Sequence, residues 1–243
     1  MPLSSYLEHL GHIFFRFRSF TPLLLVPLVV FERHHINYPF GSHSVDLLFE
    51  ALCLLVALMG HGIRVGTVGH VPHGTSGRNT REQKAEILNT TGLYSIVRNP
   101  LYLGNYLILM GISLLLQNWE VLLFNTLLFA LAYTPIILTE EAFLLERFGV
   151  RYREYADRVP CMIPRPSLWR TPELPFSFAM ALYREHDTVF TTIIVFIIIE
   201  NLRSFVVHGR LGIESVWIPL SVFVLTVWIF LKVLKKTGRL TGR

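Results

Sequence analysis

Charge is scarce in this sequence: 16% of its 243 residues are Asp, Glu, Lys or Arg, while 52% are apolar. With a mean hydropathy of +0.47, that scarcity excludes an ordinary soluble domain, where about 25% of residues are charged. Cysteine is rarer still. Cys53 falls in an apolar run and Cys161 in a polar loop, so the two make no disulfide framework. His34, His35, His70 and His73 lack helical i, i+4 spacing with carboxylates, and no metal is assigned. No basic run is interleaved with aromatics, which argues against a nucleic-acid partner. Repeats and low-complexity tracts are absent as well.

Long apolar runs are what the chain has in quantity. They lie near Leu47–Val65, Leu101–Gln117, Trp119–Thr139, Thr188–Val207 and Val216–Leu234, each read as able to cross a hydrocarbon core of roughly 30 Å. A sixth, Ser19–Phe31, is short, holds Pro22 and Pro27, and follows Arg16 and Arg18. No small-residue cleavage site follows it, so it reads as a retained helix. The expected fold is all-α: a polytopic membrane protein of about six transmembrane helices with a cytoplasmic cofactor-binding region. Six spans put 19 of the 22 Lys and Arg residues on the side of both termini and leave Arg33, Arg203 and Arg210 opposite. Positive loops stay cytoplasmic, so both termini are expected there. The sequence pI near 9.4 then reflects topology and affinity for anionic head groups.

Three segments follow. Residues 1–70 form a membrane helix pair, 71–165 hold a helical hairpin with two motifs, and 166–243 add two further transmembrane helices after a Pro-rich linker (Pro164, Pro166, Pro172, Pro175). In the loop 71–91, Pro72, Gly74 and Gly77 break structure before a short helical piece at Thr80–Leu88, where Thr80 and Gln83 fit a capped start. A tight turn at Gln117–Glu120 closes the hairpin.

The first motif is GLYSIVRNPLYLGN, Gly92–Asn105. Asn99-Pro100 should open a helix, because Pro fits the first turn, where its missing N–H would have no partner. A helix N-terminus attracts a carboxylate or phosphate, and Arg98 just ahead of it can grip one bidentately. Arg98 could equally anchor a lipid phosphate. Tyr102 and Asn105, three apart, share a face, and Gly104 allows close approach of a ligand or a helix. The second motif is TEEAFLLERFGVRYREYADRVP, Thr139–Pro160. Glu140 and Glu141 close a span at its negative dipole end, which calls for a cation nearby. That cation is either a ligand's or one of Arg147, Lys84 and Arg81. Phe148-Gly149 ends a helix. Tyr152, Tyr155 and Val159 then recur at spacings of three and four, as a packing stripe or a lid over a planar ring, with Arg151, Arg153 and Arg158 toward head groups.

Together, Gly92-Leu-Tyr94, Arg98-x-Pro100-x-Tyr102-x-Gly104, Glu140-Glu141, Phe148-Gly149, Tyr152-x-x-Tyr155 and Val159-Pro160 resemble the isoprenylcysteine carboxyl methyltransferase and phospholipid methyltransferase superfamily, over about residues 45–165. The resemblance implies S-adenosylmethionine bound on the cytoplasmic side and a membrane lipid or lipidated acceptor entering from the bilayer. It implies a cofactor pocket of Tyr94, Arg98, Asn99, Pro100, Tyr102, Gly104, Asn105, Glu140, Glu141, Tyr152 and Tyr155, with Arg98, Glu140 and Glu141 as the catalytic candidates. Relatives carry His where this chain has Asn99, a residue that cannot titrate. Prenylcysteine enzymes carry an arginine near Pro135 and Ile136, and residues 166–243 extend past the family core.

Methyl transfer is an in-line displacement that needs alignment and exclusion of water. A carboxylate or phosphate acceptor requires no base; an amine would need one, for which Glu140 or Glu141 is available. Arg78, Asn79 and Arg81 suit an anionic head group, or simply form a solvated basic loop. His61 and Arg64 near one end of the second helix either touch the cofactor or snorkel, and Glu200 with Arg203 reads as a structural pair. The rival reading is a non-catalytic membrane transport or assembly subunit.

Overall fold

A computed structural model describes residues 43–72, 85–208 and 217–240. Among them are six α-helices and no strand. They are α1 (His43–Gly69), α2 (Pro100–Leu114), α3 (Trp119–Phe148), α4 (Val150–Arg158), α5 (Phe178–His208) and α6 (Trp217–Lys236), with 3-10 turns at Leu93–Ser95 and Pro166–Leu168. The expected segment Ser19–Phe31 lies outside the described residues, as do Arg78, Asn79 and Arg81.

Among the described residues, two helices are long and apolar enough to cross a membrane, Ser44–Gly69 of α1 and all of α3. The hairpin departs from expectation in its proportions. With 15 residues, α2 is about 22 Å long, short of a hydrocarbon core. It stops because the chain turns at Gln117, whose φ of 52° ends helical geometry. The Gln117 amide then donates to Asp46 on α1 at 2.9 Å. Asn118 caps α3, its side chain accepting from the N–H groups of Glu120 and Val121. The 30 residues of α3 run to Phe148, where Gly149 adopts a φ of 56°. Glu140 and Glu141 therefore sit two turns inside this helix rather than at its end, and the dipole argument for a nearby cation does not apply to them. The short helix expected over Thr80–Leu88 is also corrected in its described part: Ala85 to Leu88 are irregular. Leu88 is instead drawn into a cluster with Tyr152, Tyr155 and Val159.

Helices α1 and α2 cross closely at a pair of glycines. A Cβ added to Gly104 would lie 2.8 Å from the Gly60 carbonyl and 2.5 Å from Arg64 Cγ, and one on Gly60 would lie 2.6 Å from the Gly104 carbonyl. Only residues without a side chain fit there. Around this crossing Cys53, Ala57, Ile112, Leu115, Val121 and Phe196 form one core cluster that joins α1, α2, α3 and α5. A second, with Tyr102, Phe129, Tyr133, Ile136 and Ile137, fills the hairpin.

The segment after α4 returns as a strap along the first motif. Arg98 N–H donates to the Pro160 carbonyl at 2.9 Å, Asn99 N–H to Cys161 O, Arg165 N–H to Ile96 O, and Gly92 N–H to Arg170 O. Ser177 N–H then donates to Gly69 O at the end of α1. Helix α5 begins at Phe178, ten residues before the expected Thr188, because Arg184 to Asp187 continue the helical path instead of ending it. Cys53 and Cys161 are both free thiols.

Candidate functional site

Asn99 and Pro100 open α2 as its N-cap and first residue. That start places Arg98, Tyr102 and Asn105 against the stretch of α3 that carries the acidic pair. Arg98 Nε lies 3.1 Å from Glu141 Oε1, and Tyr102 donates its hydroxyl to Glu140 Oε1 at 2.6 Å. The two motifs thus meet residue by residue. Arg98 is the cationic partner of Glu141, where Arg147, Lys84 and Arg81 had been the alternatives.

Each charged group has further fixed neighbours. Arg98 Nη1 donates to the Ala156 carbonyl on α4 at 2.9 Å. Its Nε is buried without a well-directed hydrogen bond, so its tie to Glu141 is one of charge and proximity. Burial works against the Arg98 charge, but the Glu141 carboxylate, then the Cys161 side chain and Tyr152, outweigh it and hold the guanidinium above its ordinary pKa. Asn99 Nδ2 donates to Cys161 O at 3.2 Å and touches Cys161 Sγ at 3.4 Å. The Cys161 thiol in turn faces Glu141 Oε1 at 3.8 Å.

Three tyrosines wall the site. Burial raises the Tyr94 phenol above its ordinary range, Glu140 adds to the shift, and Arg184 and Arg64 oppose it. Tyr152 and Tyr155 are also raised, first by burial; next comes Glu141 for Tyr152 and Tyr94 for Tyr155. Tyr155 donates to the Tyr94 carbonyl at 2.8 Å, tying α4 to the first motif. The Tyr152, Tyr155 and Val159 stripe is packed under Leu88, Leu144, Phe148 and Leu168. Arg151, Arg153 and Arg158 are exposed on the opposite side of α4.

Sequence reasoning left Tyr133, Glu185 and Thr192 unassigned. Asn105 Nδ2 donates to Tyr133 Oη at 3.2 Å, and Tyr133 meets the Tyr102 ring edge-on at 5.1 Å. The Asn105 carbonyl oxygen accepts from Arg64 Nη1. Arg64 also grips Glu185 of α5 through Nε at 2.7 Å and Nη2 at 2.9 Å. His61, one turn earlier, shares a 3.0 Å hydrogen bond with Thr192. Arg64 and His61 therefore fasten α5 to the site rather than snorkel. Tyr133 could have been found from its spacing, seven residues before Glu140 on α3. Glu185 carried no local signal.

Residues 73–151 match the family model described as phospholipid methyltransferase. Over 119 residues the chain is 38% identical to the cobalt-zinc-cadmium resistance protein CzcN of Cupriavidus metallidurans, covering 48% of this chain and 52% of that protein. It is 37% identical over 89 residues to the protein-S-isoprenylcysteine O-methyltransferase of Schizosaccharomyces pombe, covering 35% of this chain and 36% of the relative. It is 39% identical over 90 residues to methanethiol S-methyltransferase 2 of Bradyrhizobium diazoefficiens, covering 35% and 31%. The aligned part spans about half the length of the metal-resistance relatives it matches. No solved structure matches.

Proposed function

We propose, from the premise that the chain belongs to the isoprenylcysteine carboxyl methyltransferase and phospholipid methyltransferase superfamily, that it is an integral-membrane methyltransferase acting on a lipid or lipidated acceptor. S-adenosylmethionine is the methyl donor in this reading, and both termini and the site lie on the cytoplasmic face. The single observation that carries it is the facing of Arg98 with Glu141 and of Tyr102 with Glu140.

The donor set suits such a guest. S-adenosylmethionine carries a carboxylate together with ammonium and sulfonium charges, and when bound it supplies an electrophilic methyl group. Arg98 would take the carboxylate as a fork, as arginines do with planar anions. Glu140 and Glu141 would balance the positive groups or accept ribose hydroxyls. Tyr94, Tyr102 and Tyr152 offer ring faces and hydroxyls around them, with Asn99, Pro100, Gly104, Asn105 and Tyr155 shaping the frame. The packed tyrosine stripe of α4 keeps water from one side of the site, and the strap ties the start of α2 to the segment that follows α4. Alignment and dryness are what a displacement at carbon requires of these residues. Arg78, Asn79 and Arg81 are assigned to the anionic head group of the acceptor. An amine acceptor would lose its proton to Glu140 or Glu141.

Protein purified in detergent is expected to bind S-adenosylhomocysteine. Arg98→Ala, or Glu140→Ala with Glu141→Ala, is expected to abolish that binding. Incubation with radiolabelled S-adenosylmethionine and total membrane lipid should label one lipid fraction. A second reading is favoured by the two metal-resistance relatives: a non-catalytic membrane subunit serving resistance to transition-metal cations. It requires that S-adenosylhomocysteine does not bind and that loss of the protein sensitises cells to those cations.

A further inference from the structure

Helix α5 lies outside residues 73–151, which match the family model, yet it sends a carboxylate to the edge of the candidate site. Glu185 is 3% exposed, in a helix that is otherwise largely apolar. A charge there is costly unless it is paired and hydrogen-bonded. Arg64 meets that need with two parallel bonds, at 2.7 and 2.9 Å. This geometry leaves one guanidinium nitrogen, Nη1, aimed at the side-chain oxygen of Asn105. Asn105 is thereby held with its oxygen toward Arg64 and its amide toward the Tyr133 hydroxyl, which lies 3.2 Å away. Tyr133 supports the ring of Tyr102, whose hydroxyl is on Glu140.

The polar contacts run from Glu185 on α5 through Arg64 on α1 and Asn105 on α2 to Tyr133 on α3. A ring contact then passes from Tyr133 to Tyr102, whose hydroxyl is on Glu140. An amide side chain has two chemically different ends, and which one faces a site is set by its neighbours. Here the fork on Glu185 fixes the position of Arg64, and Arg64 fixes the orientation of Asn105.

We propose that Glu185 is a positioning residue of the cofactor site: by clamping Arg64 it orients Asn105 and Tyr133 behind Tyr102 and Glu140, so the site is complete only with α5 docked. The inference rests on the methyltransferase reading. It adds to that reading a role for a helix beyond the family core.

The test uses the full-length protein in detergent, with S-adenosylhomocysteine as the probe. Affinity and thermal unfolding are measured for wild type, Glu185→Gln, Glu185→Asp and Thr192→Val. Thr192→Val removes the bond to His61, a second tie between α1 and α5 that does not touch Arg64. Glu185→Gln should weaken binding by roughly tenfold or more, the scale seen when a buried charge-assisted pair loses one partner. Glu185→Asp should recover part of the loss, while Thr192→Val should lower the melting temperature and leave affinity within about twofold. If wild type binds but Glu185→Gln and Thr192→Val both retain wild-type affinity, α5 is packing alone and the inference fails. Equal weakening by Glu185→Gln and Thr192→Val also overturns it, because general loosening would then explain both. A wild-type protein that binds no S-adenosylhomocysteine overturns the methyltransferase reading itself, and the inference with it. Should Glu185→Gln fail to fold, Glu185→Asp, which keeps the charge but shortens the reach, carries the test alone: unchanged affinity refutes positioning.

Discussion

The Tyr102 hydroxyl and the Glu140 carboxylate, on the two arms of the hairpin, are joined by a 2.6 Å hydrogen bond. Tyr102 is buried and follows the helix-opening Pro100 by two residues, so the bond fixes the start of one helix against the interior of the next. Tyr102→Phe removes the donor and leaves the acceptor in place. We expect it to cost about 1.5–3 kcal/mol, the worth of a hydrogen bond to a charged group, read by thermal unfolding in detergent. Glu140→Gln keeps an acceptor but loses the charge. It should unfold close to wild type while binding S-adenosylhomocysteine more weakly. Equal losses of stability in both variants would assign the carboxylate a structural role only.

The Arg98–Glu141 pair makes a different prediction, because both side chains are partly open to solvent, at 17% and 21% exposure. Screening limits the worth of such a pair to about 1 kcal/mol or less. A double-mutant cycle with Arg98→Ala and Glu141→Ala should therefore give a coupling free energy of that small size in stability. Either single substitution should nevertheless eliminate S-adenosylhomocysteine binding in equilibrium dialysis. A coupling of about 3 kcal/mol or more would mark a buried structural bridge instead.

Two glycines of the α1–α2 pair should respond in opposite directions. Gly104→Ala drives a methyl group into the Gly60 carbonyl and the Arg64 stem and should destabilise by about 1–3 kcal/mol. Gly62, on the same α1 helix as Gly60, has nothing within 4 Å of an added Cβ. Gly62→Ala should stabilise by about 0.5–1 kcal/mol through helix propensity. Thermal melts of the two variants measure the contrast directly.

Alkaline pH gives a further readout. Tyr94, Tyr152 and Tyr155 are all raised, chiefly by burial, so the folded protein holds these protons more tightly than the unfolded chain, whose tyrosines titrate near pH ~10. Below that value the groups are neutral in both states and stability is independent of them. Above it the unfolded chain ionises while the folded one does not, and stability falls as pH rises. Unfolding followed from pH 8 to 11.5 should show a plateau and then a decline. Tyr155→Phe should shallow the decline and, by losing the bond to the Tyr94 carbonyl, cost about 1 kcal/mol on the plateau.

How much of this was legible in the sequence varies with the range of the interaction involved. Asn99-Pro100 marked the start of α2 and Phe148-Gly149 the end of α3 because capping and proline geometry are local. The all-helical class followed from the length of the apolar runs. The tight turn expected at Gln117–Glu120 is found there, with Gln117 at a positive φ, although α2 itself ends at Leu114, three residues short of its apolar run. At Phe178 α5 starts well before its apolar run, with Glu185 held by Arg64. The meeting of Arg98 with Glu141 rested on a resemblance and is visible as geometry only in the fold. The Arg64–Glu185 bridge spans 121 residues, and no local pattern announces a partner at that distance. In its described part, Ala85–Leu88, the expected helix failed as Leu88 answers to the tyrosine cluster of α4 rather than to its own neighbours.

The strap has a mechanical corollary. Arg98 and Asn99 give their main-chain hydrogens to Pro160 and Cys161, so two passages far apart in the chain are laced into one ladder with almost no regular secondary structure. Amide exchange there should be as slow as inside a helix, and fraying at either passage would loosen the other at once.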